Sequence, residues 1–220
     1  MINSENHFLS HPEVQKYFEN VFSIINTESD RGAILMAASQ VDYFLEKALK
    51  EIAPKGISKN KLDNIFDFTG PLGTFSSRLN IALYLRIIND QVFQAINALR
   101  GLRNDVAHKP KTFSLSDKQD SIDKLYNLGV GVPETLHSCA IKGVLKAAID
   151  HALTIEIDDD RAFTDVREVV RFIQENPGIK RSMEEILPKW KLGLGIALIC
   201  GIIFYGSNKV SHIFNNSSKV

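Results

Sequence analysis

Two cysteines, a single tryptophan and no surplus of either charge mark this 220-residue sequence. Cys139 and Cys200 stand far apart without metal-ligand spacing, which excludes a disulfide framework and a zinc site and fits a reducing, intracellular setting. Lysine plus arginine equals aspartate plus glutamate at 26 each, so no global field draws the chain toward nucleic acid or anionic lipid, and RNA contact is left to a local patch. The start, "MINSENHFLSHPEVQKYF", lacks the basic residues and apolar core of a secretory signal, placing the main domain in the cytoplasm. No stretch alternates convincingly with period two, and no cofactor or metal is called for.

Helical periodicity fills the chain instead. In "RGAILMAASQVDYFLEKALKEI", Ile34, Ala37, Val41, Phe44, Leu45, Ala48, Leu49 and Ile52 form one wide stripe ended by Pro54 and Gly56, which predicts a helix from about 28 to 52. Gly70, Pro71 and Gly73 break the next stretch, and Thr74 or Ser76 caps the helix that follows. Further helices are expected from about 90 to 107, 116 to 128 and 133 to 154. The fold class is all-α, a helical bundle with short connections over residues 1–155.

Residues 156–189 are more charged and read as an amphipathic connector of two short helices around Asn176, Pro177 and Gly178. Leu192 to Gly206 then carries no charge, with Lys189, Trp190 and Lys191 before it and Lys209 after. A bilayer crossing takes about 20 apolar residues, and counting from 190 to 208 brings the segment within reach. Trp190 and Tyr205 suit an aromatic belt, and the lysines can snorkel. The alternative is a buried C-terminal core helix, but such a helix usually keeps a polar face and this one shows none. The expectation is therefore a single-pass helix at 190–208 in an inner or plasma membrane, followed by a short tail, 209–220. Lys180, Arg181, Lys189 and Lys191 place the N-terminal domain on the cytoplasmic side. Gly193, Ala197 and Gly201 form a small-residue ridge for helix packing.

The stretch "GLRNDVAHKP" closes the helix that begins near residue 90. At about 100° per residue, Arg103 falls between Ile96, Leu99, Leu102 and Val106 on the apolar side, so it should be paired, turned toward an interface, or snorkelling out near the helix end. His108 occupies the last turn, where the helix dipole favours imidazolium. Arg100, Lys109 and Lys111 complete a local phosphate-binding patch, which Asp105 would dampen by pairing with Arg100 or Lys109.

"LRNDVAH" resembles the Arg-x-x-x-x-His signature of the HEPN superfamily of helical domains. "ESDRGAILMAA" from Glu28 and "FTGPLGTFSSRLNIA" from Phe68 look like segments of the mannitol operon repressor family (MltR, also written MtlR), an all-helical HEPN-like group. The likeness covers about residues 28–128, and the hydrophobic tail departs from it.

The resemblance implies metal-independent RNA cleavage in which His108 transfers a proton, Arg103 stabilises charge on the phosphate and Asn104 orients one or the other. It also implies a homodimer or larger homo-oligomer that brings two motifs together. Glu28 and Asp30 are explained by a helix start, or they form a support with Arg31 and Arg100 that orients Arg103 or His108. Arg78 is a candidate ion-pair partner, and His137 and His151 are read as structural. The leading functional expectation is a membrane-anchored endoribonuclease acting as a toxin or antiphage-defence effector. The alternatives are a non-catalytic regulatory protein with a protein partner and an oligomer that perturbs the membrane through its tail.

Overall fold

The computed structural model describes residues 12–108, 113–157 and 160–217. Over these the chain is all-α. Its helices are α1 (Pro12–Thr27), α2 (Asp30–Glu51), α3 (Lys59–Phe66), α4 (Phe75–Tyr84), α5 (Asp90–His108), α6 (Gln119–Asp123), α7 (Val132–Ala152), α8 (Val166–Glu175) and α9 (Pro177–Ser217). A two-residue antiparallel pair, β1 (Glu156–Ile157) and β2 (Asp160–Arg161), follows α7. Single 3-10 turns flank α6 at Ser116–Lys118 and Lys124–Tyr126.

Local chemistry sets most boundaries. Ser29 Oγ accepts from Gly32 N at 3.1 Å and starts α2, with Asp30 in the first turn where the dipole favours an acid. Thr74 and Ser77 form a reciprocal capping box that starts α4. Gly131 caps α7 at φ 77°, a left-handed conformation glycine adopts without steric cost, and Pro133 follows in the first turn. The helix expected over 116–128 is instead a short α6 between two 3-10 turns. Leu115, Ile122, Leu125 and Tyr126 all point inward, and that irregular spacing fits a wrapped segment better than one long helix. Helices α1 and α3 and the β1–β2 pair lay outside the periodic stripes.

Helix α9 differs most from the sequence expectation. Two separate short helices around 176–178 and a distinct apolar segment were expected; α8 ends at Glu175, and one continuous helix then runs from Pro177 to Ser217 with Pro188 inside it. Proline removes one backbone donor and disfavours this continuation. Immediately beyond it Lys189 Nζ donates to the Glu28 carbonyl at 2.8 Å, and the Trp190 ring packs on Gly143 of α7 and meets Phe22 of α1 edge-on at 4.9 Å. These anchors hold the chain helical through the proline.

The apolar stretch of α9 lies in the bundle against α1, α2 and α7. Leu192, Ile196, Ile199, Cys200 and Ile203 are fully buried in the core that also contains Ile25, Ile34, Val41, Leu45, Leu79 and Ile96. Burying each large aliphatic side chain stabilises by about 2 kcal/mol. The missing polar face thus has a second physical explanation, a helix surrounded by other helices. By length and composition α9 is also long and apolar enough to cross a membrane, and half of its most apolar window is buried. The small residues serve packing within the chain: a Cβ at Gly193 would stand 2.6 Å from Asn26 Nδ2, one at Gly195 would stand 2.8 Å from the Tyr126 ring, and one at Gly206 would overlap the Ile87 carbonyl. Lys189 meets the start of α2 and Ser207 meets Glu51 at its end, so α2 and α9 run in the same direction.

Candidate functional site

The candidate residues separate into an exposed set on α5 and a buried charge centre beside it. Leu102 and Val106 turn the last part of α5 into the core, whereas Arg103, Asn104 and His108 are exposed. Of the placements expected for Arg103, the one found is snorkelling outward near the helix end. Ile96 is enclosed two turns earlier, but near the end of α5 the covered side has narrowed to Leu102 and Val106, and Arg103 emerges at its edge. Asp105 pairs with Lys118 at 3.8 Å. Arg100 donates to Asn97 Oδ1 at 2.9 Å, and its guanidinium lies 5.9 Å from the centre of the Phe75 ring. Lys109 and Lys111 fall outside the described residues.

The buried cation is Arg78 of α4, which is 7% exposed. Its Nη1 bonds the Glu46 carboxylate, Nη2 donates to the Gly73 carbonyl at 3.2 Å, and Nε lies 3.1 Å from Asp42 Oδ1 without the alignment of a hydrogen bond. Asp42 and Glu46 are four residues apart on α2 and so share one side of it. Burial raises the Asp42 carboxyl above its ordinary value despite the attraction of Arg78, while Glu46 adds repulsion and Arg103 and Arg100 add weaker attraction. Glu46 feels desolvation too, but hydrogen bonds from Lys50 and Arg78 outweigh it and hold its carboxyl below the usual value. The open end of α5 therefore lies in the field of a carboxylate on α2.

The residues expected as supports occupy a different place. Asp30 Oδ2 accepts from Leu115 N at 3.0 Å and its Oδ1 lies 3.4 Å from Lys189 Nζ, tying α2 to α9 and to the segment after α5. Glu28 offers its backbone carbonyl to the same lysine and its side chain folds back toward Gly32. Arg31 is half-buried in the first turn of α2. Asp42 lies twelve residues further along α2 from Asp30, about 18 Å of helix. Sequence reasoning named Arg78 and missed Asp42 and Glu46. The signal that would have found them is a pair of acids at helical spacing beside Val41 and Leu45.

The X-ray structure of the MtlR–HPr complex from Escherichia coli contains a chain to which this one is similar, with a TM-score of 0.53 at 16% sequence identity, over 86% of this chain and 99% of that one. The fold is MtlR-like. At this identity the likeness concerns the fold alone. No protein-family model and no curated protein matches the chain. Within the MtlR-like fold, the "FTGPLG" loop and the start of α4 deliver Arg78 to α2. Backbone approach explains the loop's glycines, since a Cβ at Gly70 or Gly73 would overlap the carbonyls of Asn64 or Asp67.

Proposed function

We propose that this chain is a non-catalytic regulatory protein that works by binding a partner protein through the open end of α5. The observation that carries the reading is the exposure of Arg103, Asn104 and His108 on α5, beside an Arg78 centre whose charge is already met by Asp42 and Glu46. Rigid support behind and open side chains in front are what a contact surface needs. The MtlR of the similar structure is in complex with HPr, which makes HPr the first partner to test.

A second reading, metal-independent endoribonuclease activity in a homodimer, is favoured by one feature. Arg103 and His108 are open to a second protomer, which would supply the facing motif and exclude water from the site.

Both readings are tested on full-length protein beside Arg103→Ala and His108→Ala, by calorimetric titration with HPr and by RNA cleavage with chelator present. Binding of HPr that weakens at least about tenfold in either variant, with RNA left intact, supports the regulatory reading. Cleavage abolished in both variants overturns it in favour of the nuclease. Absence of HPr binding overturns HPr as the partner.

The anchor reading of α9 stands as a further proposal, with residues 190–208 as the single span and the N-terminal domain in the cytoplasm. Its support is the length and apolar composition of α9. Flotation with lipid vesicles tests it, and protein that stays entirely at the bottom of the gradient overturns it.

A further inference from the structure

A cavity of about 380 Å³ opens between the first half of α5 and the segment after α6, at the opposite end of α5 from Arg103 and His108. Its lining is Asp90, Gln91, Gln94 and Asn97 from α5, facing Lys124 and Asn127, with Ala98 contributing a methyl group. The size falls in the range of small-molecule sites, about 300–1,000 Å³. The lining is unusual for such a site: four carboxamides, one carboxylate, one ammonium and no aromatic ring.

The dipole of α5 favours an acid at Asp90 in its first turn, but no cap bond ties the carboxylate down. Asn89 Oδ1 accepts from Val92 N at 2.9 Å and caps α5, leaving Asp90 with a long contact of 3.5 Å from Gln94 Nε2. Lys124 makes no ion pair among the described residues. Asp90 and Lys124 therefore line one cavity without neutralising each other. A ligand that satisfies both carries an ammonium and a carboxylate. Between these charges the carboxamides offer paired donors and acceptors, which match a peptide group's N–H and C=O. The lack of an aromatic ring argues against a stacked base.

We propose that this cavity binds a short zwitterionic peptide, its terminal ammonium on Asp90, its carboxylate on Lys124, and its amide and polar side chains on the carboxamides. The site is separate from the partner surface above and does not depend on that reading. Asn97 connects the two, because its Oδ1 is occupied by Arg100. A ligand that takes this oxygen competes with the guanidinium, so occupancy would be felt three residues before Arg103.

The experiment titrates full-length protein with the dipeptide Ala-Gln, its N-acetyl derivative and its C-terminal amide, by calorimetry and ligand-observed NMR. Saturable binding of the free dipeptide at millimolar concentration is expected, weakened at least about tenfold by either blocking group. Asp90→Asn should erase the preference for the free amine while keeping that for the free carboxylate, and Lys124→Gln should do the reverse. Both side chains are exposed, so neither variant threatens the fold. Absence of saturable binding overturns the proposal, as does binding that ignores both blocking groups.

Discussion

Two arginines close to the same aspartate behave in opposite ways. Arg78 reaches Asp42 from α4 inside a cage of Glu46 and the Gly73 carbonyl, while Arg103 feels Asp42 from the exposed end of α5. The first is desolvated, and its charge is tolerable only because carboxylates and a carbonyl replace water. The second stays hydrated and contributes little to the fold, which leaves its charge available to something outside the chain. Position on a helix face does not separate them; the presence or absence of a covering element does.

The largest effect should come from removing residues 190–220. If α9 is the central helix, truncated protein loses cooperative unfolding, because Leu192, Ile196, Ile199 and Ile203 leave a core that nothing else fills. A truncated chain that melts cooperatively near the full-length temperature would make the tail an appendage and remove one side of the contrast between interior and surface.

Arg78→Met comes next. It strands Asp42 and Glu46 together, and a loss of about 3 kcal/mol in urea unfolding is expected, at the low end for breaking a buried pair because both carboxylates keep some access to water. Gly206→Ala should cost about 1–3 kcal/mol by forcing a Cβ into the Ile87 carbonyl. Gly178→Ala, on the same helix with nothing near its Cβ, should be neutral or stabilising. Equal effects at the two glycines would contradict the close approach of α9 to the α4–α5 turn.

Arg103→Ala should change stability by less than about 0.5 kcal/mol, a sixth of the Arg78 effect, and alter only what the surface binds. A melt that falls as far as that of Arg78→Met would erase the distinction between the two arginines.

The smallest effect lies in pH. Because the folded carboxyl of Asp42 is raised, the folded state holds its proton more tightly than the unfolded chain, so Asp42 adds stability as pH falls and loses it as pH rises through the folded value. Glu46, held low, works in the opposite sense and loses its contribution as pH falls through its own value. Comparing the melting temperatures of wild type and Asp42→Asn from pH 7 down to pH 4 isolates the Asp42 contribution, and the wild type should gain on the variant over that range.

Helix class, the boundaries of α2, α5 and α7 and the candidate motif were legible because they depend on near neighbours. The stripe from Ile34 to Ile52 gave α2, Thr74 gave the start of α4, and "LRNDVAH" ended α5 as expected. Helix α3 was hidden by its shortness, and α6 by an inward pattern that belongs to no single helix. The support for Arg103 was sought at Glu28 and Asp30, whereas the acid whose field reaches it is Asp42. Near the start of α2, dipole preference made an acid noticeable; in the middle of α2, nothing local did.

By itself the sequence determined that the chain is helical, that residues 192–206 are apolar on every side, and that arginine, asparagine and histidine gather at the end of α5. Those are properties of residue order, since periodicity and capping act over one or two turns. Tertiary structure alone decided that α1, α2 and α7 cover α9, that Arg78 is the buried cation, and that Arg103 is exposed. Burial depends on which distant segments arrive on each side, and an apolar helix wrapped by helices has the same local sequence as one wrapped by lipid.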